Sequence, residues 1–140
     1  MIKTFNIGIK ALILNKDKAL VLKEIDIRKV NIELYDLPGG RMEEGESIEE
    51  TLKRELKEEL GNLRFSLGSI VHAQIHPYYD KNGTSLMLLF YKVDVKKTKI
   101  KLSDEHIGFE WISKKDLQNI IKNKGKMHSG IKTALEKVLK

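Results

Sequence analysis

Glycine, five residues, glutamate, seven residues, then Arg-Glu-Leu-Lys-Glu-Glu-Leu-Gly: this run, from Gly40 through Glu46 to Arg54 and Gly61, constrains the chain more than any other stretch. Ser47, followed three residues on by Glu50, carries the signature of a capping box. Gly61 supplies the residue that accepts a left-handed conformation past a helix end. The spacing therefore predicts a loop, a helix and a stop. Ile48, Leu52, Leu56 and Leu60 recur every four residues and draw one apolar stripe that must face a core. Glu55, Glu58 and Glu59 lie about a quarter turn away, with Cβ atoms about 5–6 Å apart. Like charges so crowded destabilise an isolated helix by a few tenths of a kcal/mol, roughly what an ion pair would gain. Clustered carboxylate oxygens without thiolates suit a hard divalent cation such as magnesium, which takes one or two protein carboxylates, waters and substrate phosphates.

The remaining composition narrows the setting. A chain of 140 residues with 41% hydrophobic and 33% charged side chains is expected to form one domain, 1–140, with its own core. Its apolar runs, such as Ala11 to Leu14 and Leu86 to Tyr91, are far shorter than the roughly 18–20 residues a membrane span needs. Lys3, Asn6 and Lys10 interrupt any apolar leader, and the absence of cysteine excludes disulfides and thiolate metal sites, so a cytoplasmic location without membrane partners is the default expectation. The net charge of +6 would suit a polyanion. Because the lysines are scattered and not interleaved with aromatics, nucleic acid is not the favoured partner.

Along the chain, residues 5 to 15 alternate and lead through Asn15-Lys16-Asp17-Lys18 into Ala19 to Lys23, a predicted hairpin. Residues 24 to 32 read as a longer loop, and Glu33 to Leu37 as a short strand ending at a tight Pro38-Gly39-Gly40 loop. After the helix, Leu63, Phe65, Leu67, Val71, Ala73 and Ile75 keep a period of two, with Gly68 a bend or bulge. His76 to Gly83 reads as a loop, Thr84 to Val95 as a covered central strand, and Glu110 to Ile112 as a last strand. Ser113 with Asp116 opens one more helix, and Ser129 starts the C-terminal one. Strands bracketing one helix, with further helices at the end, fit an α/β or α+β class.

The run from Gly40 to Asn62 resembles the signature box of the Nudix hydrolases at every defined position but the last. Asn62 stands where that pattern has an aliphatic residue, with Leu63 one place later. The resemblance implies an α/β/α sandwich around a mixed β-sheet. It also implies a MutT-like pyrophosphohydrolase that uses Mg2+, or Mn2+, to hydrolyse a nucleoside diphosphate linked to another moiety by water attack on phosphorus. Glu58 and Glu59 are then metal ligands, and Glu55 is a ligand or the general base. The Gly39 carbonyl is a further candidate ligand, and Gly40 a residue beside substrate. Arg54 would orient a carboxylate, with Glu46 as its partner in preference to the helix start. A later acidic residue is also implied: Glu105, six before Trp111, matches better than Glu110 and would serve as base or fourth carboxylate.

Substrate is less constrained. Pro77 has the placement associated with ADP-ribose hydrolysis, while Tyr78 and Tyr79 have one associated with dinucleoside polyphosphates, so the two hints conflict. Tyr78 could stack on a base. Lys23, Arg28 and Lys29 are candidate phosphate contacts. His72, His76, His106 and His128 lack the spacing of a zinc site. The expected partner is a small nucleotide such as an NTP, an oxidised NTP, ADP-ribose or a dinucleoside polyphosphate, with a homodimer left open. A nucleotide- or RNA-binding module of the same fold and an RNA 5′-end pyrophosphohydrolase are the alternatives.

Overall fold

The computed structural model describes residues 3–25, 33–81, 83–96, 100, 108–123 and 125–140. The first strand, β1 (Phe5–Asn15), turns through Lys16, at φ 56°, into β2 (Lys18–Ile25). There follow β3 (Glu33–Asp36), β4 (Gly39–Arg41), α1 (Ile48–Leu60), β5 (Phe65–Lys81), β6 (Thr84–Val95), β7 (Gly108–Ile112), α2 (Lys114–Lys122) and α3 (Ser129–Val138). The strands run β3-β2-β1-β6-β5 across the sheet, with β4 also on β1 and β7 on β2. β1 and β6 are parallel from Phe5↔Ser85 to Ile13↔Val93, whereas the other pairs are antiparallel. The sheet is therefore mixed.

Alternation along the central strands sends side chains to both faces. Ile9, Ala11, Ile13, Leu20, Leu22 and Val93 pack against Leu52, Leu56 and Leu60 of α1. Leu12, Val21, Leu88 and Phe90 pack on the other side with Leu117 of α2 and Ile131, Ala134 and Leu135 of α3. Helices on both faces of a sheet make the α/β/α sandwich. Both predicted capping boxes form: Ser47 and Glu50 exchange bonds at α1, and Ser113 and Asp116 do so at α2. At α3 the cap is His128, whose Nδ1 accepts from the Gly130 and Ile131 amides.

Three expectations need correcting. Gly39–Gly40 is not a tight loop but the start of β4, paired to β1 at Ile9↔Gly40 and Lys10↔Gly39. Residues 76 to 81 are not a loop, because β6 is long enough to pair Ser85 with Asp80 and Thr84 with Lys81, which carries β5 out to Lys81. Pro77 is accommodated since β5 is the last strand of the path and its register breaks between Ile75 and Asp80. Finally, the period of two does not hold through β5. Register shifts after Leu67 and after Ile70 turn Val71 toward the α3 face while Leu67 stays on the α1 face. Gly68 sits where an added Cβ would lie 2.8 Å from the Lys92 carbonyl oxygen, so the chain approaches its neighbour too closely for a side chain. Ile75, expected to face inward, is 46% exposed.

Among the expected features, Arg28, Lys29, Glu105 and His106, and most of the 24 to 32 loop, lie outside the described residues. The backbone of Tyr78 belongs to β5, and its side chain lies outside the description.

The apolar stripe of α1 sets the site's position, so its packing is testable. Leu56→Ala should cost about 2–5 kcal/mol, the usual range for a buried leucine. Urea unfolding would read this as a lower midpoint at unchanged slope.

Candidate active site

The site is assembled where β4 crosses under α1. β4 is fastened to β1 by its register and at both ends, with the Ala11 amide donating to the Pro38 carbonyl at 2.8 Å and the Met42 amide to the Ile7 carbonyl at 2.7 Å. Gly39 holds φ +134°, and a Cβ there would collide with the Ile9 carbonyl oxygen. A Cβ on Gly40 would land in the Glu55 carboxylate. The two glycines thus let α1 lower its acidic face onto the strand.

Glu59 is buried and its Oε1 accepts from the Gly39 amide at 2.8 Å. Burial is the main cause that pushes its pKa from 4.5 up to about 8, opposed by the Gly39 hydrogen bond and the Lys10 charge. Arg54 reaches Glu46 with a fork, Nε to Oε2 and Nη2 to Oε1, both at 2.9 Å. It also donates to Glu55 Oε1 at 2.6 Å and to the Arg41 carbonyl at 2.9 Å. The Arg54 hydrogen bonds, with help from the Glu43 amide, hold the Glu46 carboxyl down at about 2. Arg54 in turn is held above its ordinary value, chiefly by Glu46. Glu46 and Arg54 are therefore a fixed buttress that sets the rotamer of Glu55.

Glu58 is exposed on α1, beside the more buried Glu55 and Glu59. Among the described residues no three His, Asp or Glu side chains converge closely enough to hold an ion by themselves. Two hard carboxylates, Glu55 and Glu59, beside a glycine strand nevertheless fit a cation that needs only one or two protein carboxylates and completes its shell with water and phosphate.

Beyond β4 lies a cleft of about 840 Å³ that Gly40 and Arg41 border on the side of the acidic helix. Lys10 and Asp36 line it, paired at 3.1 Å, and Lys10 also donates to the Leu37 carbonyl at 3.2 Å. Burial alone would lower the Lys10 pKa, but Asp36 and then Glu59 outweigh it and keep the ammonium charged. Its far wall is the segment joining α2 and α3. That segment is fixed to β3 by the Tyr35 amide donating to the Lys126 carbonyl at 2.8 Å. His76 and His128 pack there with ring centroids 4.6 Å apart and planes tilted by 47°. Burial pushes the His128 pKa down to about 4 and lowers that of His76, so the pair is neutral near pH 7.

The structure brings Glu46, Arg54, Glu55, Glu59, Gly39 and Gly40 together, with Glu58 exposed on the same helix. Lys23 lies outside the cleft lining and pairs with Glu110 of β7 at 3.1 Å. Lys10, Asp36 and His128 line the cleft without having been expected there from sequence. One signal was present: Lys10 is a charge inside an otherwise apolar alternation, between Ile9 and Ala11.

Residues 4–136 match the NUDIX domain, and the chain belongs to that family. Its members are hydrolases acting on phosphoric anhydrides and are generally dependent on divalent metal. A putative 8-oxo-dGTP diphosphatase of Bacillus subtilis is 28% identical over 106 residues, a match spanning 76% of this chain but only 65% of that relative. The nucleoside triphosphatase NudI of Escherichia coli is 27% identical over 113 residues, 76% of this chain and 80% of the relative. Among solved structures, a MutT protein of Methanosarcina mazei superposes with a TM-score of 0.72 at 25% identity, covering 97% of this chain and 94% of that one. The solution structure of the E. coli ORF135 protein, at 22% identity, shares the fold with a TM-score of 0.73 over 96% of this chain and 89% of that one.

The Glu59 environment has a thermodynamic sign. Its folded pKa near 8 lies above the unfolded value of 4.5, so the unfolded chain holds fewer protons in that window and stability falls as pH rises through it. In EDTA, wild-type Tm should decline between about pH 5 and pH 8 more steeply than that of Glu59→Gln, and magnesium should raise Tm most at the upper end. Equal slopes for the two proteins would remove Glu59 as the titrating group.

Proposed function

We propose that the chain is a magnesium-dependent nucleotide pyrophosphohydrolase, with manganese able to substitute, acting on a nucleoside triphosphate or its oxidised form. One observation carries the reading: two carboxylates fixed against a glycine strand lie across that strand from a cleft large enough for a nucleoside. The printed activities of the relatives, a putative 8-oxo-dGTP diphosphatase and a nucleoside triphosphatase, support the choice of substrate class. In this reading the activity is cytoplasmic, where free nucleotides are found.

The substrate's base and sugar occupy the cleft, and its phosphates run over β4 toward α1. Arg41 and Lys126 line that cleft and contribute positive potential to the polyphosphate. Glu59 and the Gly39 carbonyl would hold the divalent cation, with Glu58 available to a second ion on the exposed side. When bound, the cation neutralises the diphosphate and activates water.

The chain's own residues supply orientation and proton transfer. Arg54, itself locked by Glu46, holds one oxygen of Glu55 and leaves the other free to take a proton from the attacking water. Glu105 is the other candidate base. Glu46 and Arg54 act by fixing the carboxylate before substrate arrives, so that no reorganisation is needed as charge develops.

Purified protein incubated with magnesium and a panel of NTPs, 8-oxo-dGTP, ADP-ribose and dinucleoside polyphosphates should release monophosphate together with pyrophosphate or phosphate. Glu55→Gln and Glu59→Gln should stay folded and lose about 10²–10⁴ in kcat, the range for a lost base or positioned acid. Turnover of the panel by both variants at the wild-type rate would refute the proposal.

A further inference from the structure

The fork between Arg54 and Glu46 leans on a buried hydroxyl that the hydrolytic step itself does not use. Thr51 lies in α1 three residues before Arg54 and four before Glu55, the spacing that puts all three on one side of the helix. It is fully buried, as are its apolar neighbours in the same helix, Leu52 and Leu56. Packing alone does not ask for threonine at this place. Threonine is a poorer helix former than alanine, because its branched side chain loses χ1 freedom against the preceding turn. A hydroxyl taken out of water also costs free energy unless it is hydrogen-bonded.

Two acceptors lie within reach of its one proton. Thr51 Oγ1 is 3.0 Å from the Ser47 carbonyl oxygen and 3.1 Å from Glu46 Oε1. A bond to the carbonyl four residues back is ordinary for a helical threonine. Here that carbonyl already accepts from the Thr51 amide at 3.0 Å. The carboxylate is the stronger acceptor, since hydrogen bonds to an ionised group are roughly twice as strong as neutral ones. The proton is thereby directed to Glu46.

Glu46 Oε1 then has three donors: the Glu43 amide at 2.8 Å, Thr51 Oγ1, and Arg54 Nη2 at 2.9 Å. Glu43 belongs to the exposed loop before the helix, and Arg54 is the group that the carboxylate has to hold. Thr51 is the donor whose own place is fixed by burial. We infer that Thr51 is a positioning residue: its hydroxyl fixes the Glu46 carboxylate, Glu46 fixes the Arg54 guanidinium, and Arg54 fixes Glu55. This rests on the reading of Glu55 as the carboxylate that takes a proton from the attacking water, and it adds the buried anchor of that arrangement.

Thr51→Val keeps the branched shape and removes the hydroxyl, whereas Thr51→Ser keeps the hydroxyl. The Arg54 Nε–H resonance, identified by its loss in Arg54→Lys, reports the fork in heteronuclear NMR without metal, substrate or turnover. Its exchange with solvent should be faster in Thr51→Val than in wild type and return toward the wild-type rate in Thr51→Ser. With magnesium and the nucleotide that wild type turns over best, Thr51→Val should lower kcat about tenfold at unchanged KM, the lower end of the range for removing a hydrogen bond behind an active-site side chain. Thr51→Ser should restore most of that loss. In a Glu46→Ala background, where the hydroxyl has lost its acceptor, Thr51→Val should cost little further. Assays are held well below the lowest Tm of the set, so that a variant that is merely destabilised keeps its kcat. Should Thr51→Val fail to fold, Thr51→Ala, which introduces the better helix former, takes its place. Unchanged Nε–H exchange, unchanged kcat, or losses that multiply with those of Glu46→Ala would overturn the inference. Absence of turnover by wild type would instead sink the hydrolase reading, and the exchange rates would still decide whether Thr51 holds the fork.

Discussion

The bond from the Gly39 amide to Glu59 Oε1 joins two parts of the chain 20 residues apart and takes a carboxylate largely out of water. A carboxylate so placed costs free energy unless it is paired and hydrogen-bonded. Here it has one backbone donor from a strand whose glycines leave room for it, and the Lys10 charge beyond. Glu55 makes the same demand one turn earlier, where any side chain at Gly40 would displace it. Much of the architecture serves this junction. β1 holds β4 in register, α1 is pressed onto the sheet by Leu52, Leu56 and Leu60, and Arg54, from the middle of the helix, donates to the Arg41 carbonyl at the end of β4.

Lys10 connects the two halves of the site. It faces the cleft yet acts electrostatically on Glu59 and Glu55, so it bears on both the acidic helix face and the cleft wall. A buried ammonium persists only with partners, and Asp36 and the Leu37 carbonyl supply them. The same contacts fasten the turn between β3 and β4, which places Gly39. The acidic helix face and the cleft wall therefore meet on one short piece of backbone.

The sequence was most legible where local rules decide structure. Ser47 and Glu50 mark a helix start because a capping box is closed within four residues, and the stripe from Ile48 to Leu60 names the buried face of that helix. It was least legible in β5. There Leu67 and Val71 face opposite sides of the sheet because the register shifts between them, and a period count over a single strand cannot see its partner's register. The length of β5 escapes local rules for the same reason, since β6 extends it through residues whose own composition suggests a loop. Gly39 and Gly40 look like turn residues locally, and only the edge of β1 makes them a strand.

Sequence by itself determined the family box, the spacing that puts Glu55, Glu58 and Glu59 on one face of α1, and the doubly apolar run from Thr84 to Val95 that reads as a covered central strand. These follow from covalent spacing along a helix or strand. The tertiary structure alone decided that Glu59 rather than Glu58 is drawn inward to Gly39, that Arg54 pairs with both Glu46 and Glu55, and that Lys10, Asp36 and His128 share a cleft. Lys10 and His128 are separated by most of the chain and line one cleft because α3 packs on the sheet beside β1 and β6. Proximity across a sheet depends on register and strand order, and neither is written into any local stretch of residues.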